Sequence, residues 1–419
     1  MIKRLLFVSN YFNHHQKALA EEFVKIYGSD YAFIAMTPFN QARLTIGYKD
    51  MNQAPFVLRA YESPEAAQEA QNLINEAECV IVGGMPVSVV SQRLALGKMT
   101  FMQSERFFKG PLWKDAARFV KYWRYSGVRS HARDPKAKFY LLCASAFAAW
   151  DYNVCGLFRG KAYRWGYFPE VKRYDYSDDE QISRIEAPGI NKSYLREQEI
   201  SCGLADFSHG SIKKLSKEAG SILWTGRFLA LKHPELAVKL AENLRAQGKS
   251  FRLKIIGSGE LQEDIAGMIA AKNLHDCVEL TGALPAEQVR AEMEKASIFL
   301  FTSDRHEGWG AVANESMNSG CVLVAADRIG SVPYLVKDEQ NGIVFRDRNI
   351  DDLTEKVSAL LDEPERIREL GRAAYETVSG EWSAQTAAKR FVELSERLRK
   401  SEGSVRLWED GPGSVAPVI

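Results

Sequence analysis

A chain of 419 residues is too long for one small core, and two domains are the natural expectation. Its 46% apolar and 26% charged content is ordinary for a soluble globular protein. A net charge of +1 gives no global drive towards nucleic acid, so any attraction to an anionic surface must come from a local patch. No run of about 18 apolar residues is present to span a bilayer. The opening stretch from Met1 to Asn10 is basic with only a short apolar run, which reads as a first strand rather than a signal peptide. The cysteines, Cys79, Cys143, Cys155, Cys202, Cys277 and Cys321, form no C-x-x-C pair and no ligand-like spacing with histidine. Cys79, Cys143, Cys277 and Cys321 sit in or beside apolar strands, where a reduced thiol is a small hydrophobe, so a cytoplasmic location is expected.

In the amino-terminal half, apolar runs alternate with helical patterns. Strands are predicted at Leu5 to Ser9, Tyr31 to Met36, Phe56 to Arg59, Cys79 to Val82, Thr100 to Gln103 and Phe139 to Cys143. Helices are predicted near Gln16 to Tyr27, Pro64 to Ala77, Val87 to Leu96 and Ala146 to Cys155. Such alternation argues for a parallel sheet with helices on both faces. Trp165 to Pro169 reads as the last strand and exit of this Rossmann-like domain, taken as residues 1–172.

Two loops at the carboxyl ends of these strands are candidates for handling a substrate. The first carries His14 and His15, which either cap a helix and face solvent or place an imidazole beside an acceptor or a phosphate. The second is Gln103-Ser104-Glu105-Arg106, where Glu105 and Arg106 either pair locally at the surface or face the ligand. Residues 109–138 hold nine basic against two acidic side chains, a net +7, interleaved with Trp113, Phe119, Tyr122, Trp123 and Tyr125. That pattern suits either contact with an anionic membrane surface or a solvated helix whose aromatics enter the core. No nucleic-acid motif supports a third reading. Residues 173–220 are polar and are taken as a linker or excursion.

The second half, 221–382, opens with a strand from Ser221, a basic loop holding Arg227 and Lys232, and a helix begun by Pro234. An arginine fork with a lysine point charge suits a leaving diphosphate, because cleavage of a sugar–phosphate bond puts negative charge on phosphate oxygens. A strand from Leu253 runs into Gly257-Ser258-Gly259, where small residues let a nucleotide approach the backbone, and Val278 to Leu284 gives another strand. Helices are predicted near Leu353 to Leu361, Pro364 to Val378 and Ser383 to Arg399.

The most telling stretch is Ser297 to Asp327. Ile298 to Phe301 reads as a buried strand, Gly308 and Gly310 as a turn, Ala311 to Ser319 as a helix closed by Gly320, and Cys321 to Ala325 as a second strand. Glu307 and Glu315, with seven residues between them, bracket that turn. Free amides flanked by two carboxylates suit a phosphate flanked by sugar and ribose hydroxyls.

With this element, residues 221 to 400 resemble the nucleotide-binding half of the retaining glycosyltransferases of family 4, the glycosyl transferases group 1, whose signature is Glu-x7-Glu. The resemblance implies an α/β GT-B fold: two Rossmann-like domains across a cleft, with residues 383–419 forming a crossover helix and tail back to the first domain. It assigns Glu307 to the donor sugar hydroxyls, the amides of Trp309, Gly310 and Ala311 to the diphosphate, and Glu315 to the ribose. Arg227 and Lys232 would stabilise the leaving group. Gly226, Gly257, Gly259, Leu284, Ser303 and Gly308 complete the donor side. The first loop lacks the glycines usual in the family, and the 103–106 loop lacks its usual histidine, so Ser104, Glu105, Arg106, His14 and His15 are the acceptor-side candidates.

The expected activity is retaining, metal-independent transfer of a sugar from a UDP- or GDP-sugar to a hydroxyl of a glycan or lipid-linked acceptor in surface polysaccharide assembly. No cofactor is implied, no D-x-D pair is present to hold a metal, and contact with the inner face of the plasma membrane would run through 109–138. The alternatives are an epimerase or phosphorylase of the same fold, or a non-catalytic nucleotide-sugar-binding protein.

Overall fold

The computed structural model describes residues 2–40, 49–175, 213–401 and 403–419. Its amino-terminal sheet is parallel, built from β1 (Leu5–Ser9), β2 (Tyr31–Ala35), β3 (Val57–Arg59), β4 (Cys79–Gly83), β5 (Met99–Ser104), β6 (Phe139–Cys143) and β7 (Ala162–Arg164), in the order β3-β2-β1-β4-β5-β6-β7. Two short strands follow, β8 (Tyr174–Asp175) and β9 (Lys213–Lys214), which pair with each other. The second parallel sheet contains β10 (Glu218–Thr225), β11 (Arg252–Ile256), β12 (Val278–Gly282), β13 (Ala296–Phe301), β14 (Val322–Ala326) and β15 (Ile343–Phe345), in the order β12-β11-β10-β13-β14-β15. Every residue of β1, β13 and β14 is buried, as expected where helices cover both faces of a parallel sheet.

Helix starts follow local chemistry. Asn13 accepts from His15 N while Gln16 Oε1 accepts from Asn13 N, so the first helix spans His14–Tyr27 and begins ahead of its apolar stripe. Ser63 caps Pro64–Glu76, Asn349 caps Ile350–Asp362, and Ser383 caps Ala384–Lys400. The stretch expected to be the last strand of the first domain is not one. The strand is Ala162–Arg164, and Trp165 and Phe168 after it are buried in irregular chain. Their apolar side chains serve packing between the domains, which mimics a strand in the sequence.

Residues 176–212, including Cys202 and most of the expected 173–220 linker, lie outside the described residues. Both flanks of that segment converge on buried Glu294, which accepts from Lys172 Nζ at 3.0 Å, from Tyr174 Oη at 2.7 Å and from Lys213. Burial opposes the charge, but these donors hold the carboxyl down at about 2.

The helix Ala384–Lys400 crosses back onto the first domain and packs against His14–Tyr27. Its Phe391 ring lies 5.6 Å from Phe23, 4.9 Å from Phe101 and 5.8 Å from Trp165. The tail then covers the edge of β7: Arg164 N donates to Ser414 O, and Ala416 N to Ala162 O. Between the sheets, Trp309 is fully buried and occupies space that a Cβ on Gly166 would enter, 2.4 Å from its ring. Ala146 N donates to Gly330 O at 2.8 Å, and Arg305 donates to Gly110 O at 2.7 Å.

Phe391→Ala removes the aromatic anchor of the crossover helix and is expected to cost about 3–5 kcal/mol. Urea unfolding followed by circular dichroism checks this; a loss under about 1 kcal/mol would mean that the helix is not docked through this residue.

Candidate functional site

The carboxyl ends of β10 and β13 emerge side by side, and the loops after them are laced together. Trp224 Nε1 donates to Thr302 Oγ1 at 2.8 Å, and that hydroxyl donates to Lys232 O at 2.7 Å. Asp304 N donates to Leu231 O at 3.0 Å. His233, left-handed at φ 48°, ends the basic loop just before Pro234 starts its helix. Its ring bridges Glu235 Oε1 at 2.8 Å and Asp304 Oδ2 at 3.3 Å. Glu235 most of all, with Asp304, raises the imidazole above its ordinary value. Asp304 also accepts from His306 N and Nδ1, and these partners outweigh its burial to keep the carboxyl low.

The outcome is an ion pair between Lys232 Nζ and Glu307 Oε2, with Ser303 Oγ donating to the same oxygen at 3.1 Å. Both side chains are mostly withdrawn from water, at 18% and 15% exposure. Arg227 lies exposed in the same basic loop. An ammonium and a carboxylate held together at strand ends offer a cation for phosphate and an acceptor for hydroxyls.

The glycines of these loops lie close to neighbouring chain. A Cβ on Gly257 would come 1.9 Å from Gly226 O, and one on Gly259 would come 2.7 Å from Phe228 O. Phe228 N donates to Ser258 O, so what a side chain would strike there is the neighbouring protein loop. Gly310 is left-handed at φ 80°, and a Cβ would strike the Phe301 ring. The helix spans Val312–Asn318, so Trp309 and Gly310 precede it and Ala311 is its cap. Trp309 Nε1 donates to Asn314 Oδ1 at 2.9 Å. Leu284 is partly buried beyond the end of β12.

Glu315, in that helix, is largely enclosed; burial pushes its carboxyl up, with Arg290 opposing. Arg290 donates to Asn318 Oδ1.

The first domain contributes a carboxylate. Glu105, just past β5, accepts from Tyr167 Oη at 2.9 Å and from Lys109 Nζ at 2.7 Å. Its Oε2 lies where a Cβ on Gly308 would approach to 1.8 Å, so it faces the glycine next to Glu307. Glu105 and Arg106 therefore do not pair with each other. Arg106 turns to buried Asp151 at 3.5 Å and stacks over Phe147, while Asp151 accepts from Phe107 N and Phe108 N. Burial draws the Arg106 guanidinium below its ordinary value, Asp151 opposing. Ser104 Oγ donates to Glu105 O and meets Tyr152 Oη at 2.8 Å.

His14 and His15 stand in the first helical turn rather than in a loop, with their rings 3.8 Å apart. His15 stacks on Tyr167 at 5.5 Å. Tyr167 went unnoticed in the sequence, yet it links Glu105, His15 and the Trp309 edge. Burial first, and Glu105 next, raise its phenol well above the ordinary value. Among the described residues, no three or more of His, Cys, Asp and Glu gather where a metal ion could be held.

If Glu315 accepts ribose hydroxyls, its ionised form does so most strongly, because protonation removes the charge and turns one acceptor oxygen into a donor. Its carboxyl is raised above the ordinary value, so nucleoside diphosphate affinity is expected to fall as pH drops through that raised value. Glu315→Gln should bind more weakly at neutral pH and lose this component of the pH dependence. Calorimetry across pH on both proteins checks it; parallel profiles would contradict the ribose role.

Residues 211–377 match the model of the family Glycosyl transferases group 1. An uncharacterized glycosyltransferase of Methanocaldococcus jannaschii is 30% identical over 177 residues, 42% of this chain and 48% of that protein. The alpha-D-kanosaminyltransferase of Streptomyces kanamyceticus is 28% identical over 171 residues, 41% of this chain and 44% of that protein. The chain thus spans less than half the length of these relatives. The crystal structure of Anabaena HepE in complex with UDP aligns with a TM-score of 0.64 at 13% identity, covering 94% of this chain and 100% of that one. The two parallel-sheet domains and the crossover helix accordingly form a GT-B fold, and the match to the glycosyl transferases group 1 model falls on its second domain, at residues 211–377.

Proposed function

We propose that this protein transfers a sugar from a nucleoside diphosphate donor to a hydroxyl acceptor with retention of anomeric configuration. The observation that carries the reading is the Lys232–Glu307 pair with Ser303 at the ends of β10 and β13, with exposed Arg227 in the same loop as Lys232. Lys232 and Arg227 take the diphosphate, and Glu307 takes donor sugar hydroxyls. As the bond between the anomeric carbon and the phosphate oxygen breaks, the negative charge appearing on that oxygen is met by the two cations. The acceptor oxygen attacks the same face, and its proton passes to the departing phosphate, which keeps the configuration. Two cations, Lys232 and Arg227, would supply the positive charge that a divalent metal otherwise brings.

The donor and acceptor classes are supported by the relatives. One is named for kanosaminyl transfer, and another, from Mycolicibacterium smegmatis, is a GDP-mannose-dependent mannosyltransferase. HepE was crystallised with UDP. Amylovoran and colanic acid biosynthesis glycosyltransferases are also among the matches, so a growing surface polysaccharide or lipid-linked glycan is the acceptor class favoured.

The test is turnover of UDP- and GDP-sugars with such an acceptor, with the product anomer read by proton NMR. Retained configuration and full activity in EDTA are expected. Lys232→Ala or Arg227→Ala should lose on the order of 3 kcal/mol of transition-state stabilisation, about a hundredfold in turnover. An inverted anomer refutes the retaining mechanism, activity lost in EDTA and restored by magnesium refutes metal independence, and near-native turnover of either variant refutes its phosphate role.

A further inference from the structure

The helix Leu112–Arg124 divides the aromatics of the basic segment between two faces. Phe119 and Trp123 are buried: Phe119 lies 5.5 Å from Phe108, and Trp123 lies 5.9 Å from Phe158. Tyr122 accepts from Val87 N. Trp113, Val120 and Tyr125 instead point outward at 72%, 55% and 74% exposure, and are among the most exposed large apolar side chains of the described residues. Trp113 and Val120 are seven residues apart, two helical turns, so they share one stripe.

The charge on this face has one sign. Lys114, Arg118, Lys121 and Arg124 are exposed around the stripe. The helix's only acid, Asp115, is buried and accepts from Gly110 N, with Arg118 at 3.0 Å. Lys114 Nζ lies 5.1 Å above the Trp113 ring and Arg124 lies 5.8 Å from that of Tyr125, so cation and aromatic sit at one level.

We infer that this helix face docks the protein on an anionic lipid bilayer, the Trp113–Val120 stripe entering the headgroup boundary while the flanking cations meet lipid phosphates. A polyanion such as nucleic acid would use the cations but leave the stripe in water. A bilayer satisfies both, since indole and phenol rings prefer the interface and basic side chains are drawn to its negative potential. Docking there would also bear on the cleft. Gly110 O, just ahead of the helix, accepts from Arg305 two residues before Glu307, and Lys109 holds Glu105 against Gly308. This docking does not depend on sugar transfer.

The test is co-sedimentation of the full chain with vesicles of phosphatidylcholine alone and with about one third phosphatidylglycerol, at about 0.1 M salt. Partition onto the anionic vesicles is expected to exceed that onto neutral ones by about tenfold or more, and to fall at about 0.5 M salt. Trp113→Ser with Val120→Ser, and separately Lys114→Glu with Lys121→Glu, should each abolish the preference. Unchanged circular dichroism and nucleotide binding show that these variants fold. Equal partition onto both vesicles, or full binding by either variant, overturns the proposal, as does retention on heparin without vesicle binding.

Discussion

Lys232 and Glu307 are opposite charges brought together out of most of the solvent, and neither position is set by its own side chain. Lys232 is fixed because its carbonyl takes the Thr302 hydroxyl, and Glu307 because Asp304, three residues earlier, is tied to Leu231 and His233. A pair this enclosed is costly to break one-sidedly, since the remaining charge would lack its partner. A ligand that replaces each partner, phosphate for the lysine and hydroxyls for the glutamate, avoids that cost. On the proposed function, the pair is where the phosphate and sugar hydroxyls of the donor would be received.

Close approach governs the rest. Gly166 makes room for Trp309 and Gly308 for Glu105, so the loop carrying Glu307 is pressed against the first domain at two places. The crossover helix and the tail on β7 reinforce that contact from the other end of the chain. Glu105, Tyr167 and His15 reach the loop as one connected group rather than as separate side chains.

The sheets were legible in the sequence because a strand covered on both faces must be apolar along its length, as Leu5–Ser9 and Ala296–Phe301 are. The capping of Ala384–Lys400 by Ser383 was legible for an equally local reason. Trp165 and Phe168 misled because burial between domains leaves the same apolar trace as burial in a sheet. Arg227, Lys232, Glu307 and Glu315 were singled out from loop chemistry and resemblance, but no spacing told that Lys232 would meet Glu307. That contact spans strands β10 and β13, far apart in sequence. Tyr167 was out of reach for the same reason, as was the close approach of the neighbouring loop to Gly257 and Gly259.

On the proposed function, Lys232 is the cation that receives the donor diphosphate. Calorimetric affinities of UDP against uridine, and GDP against guanosine, measured for the native protein and for Lys232→Met, test it most directly. The native protein should prefer the diphosphate, and the variant should lose about tenfold or more of that preference while keeping its affinity for the nucleoside. An undiminished preference in the variant would contradict the claim.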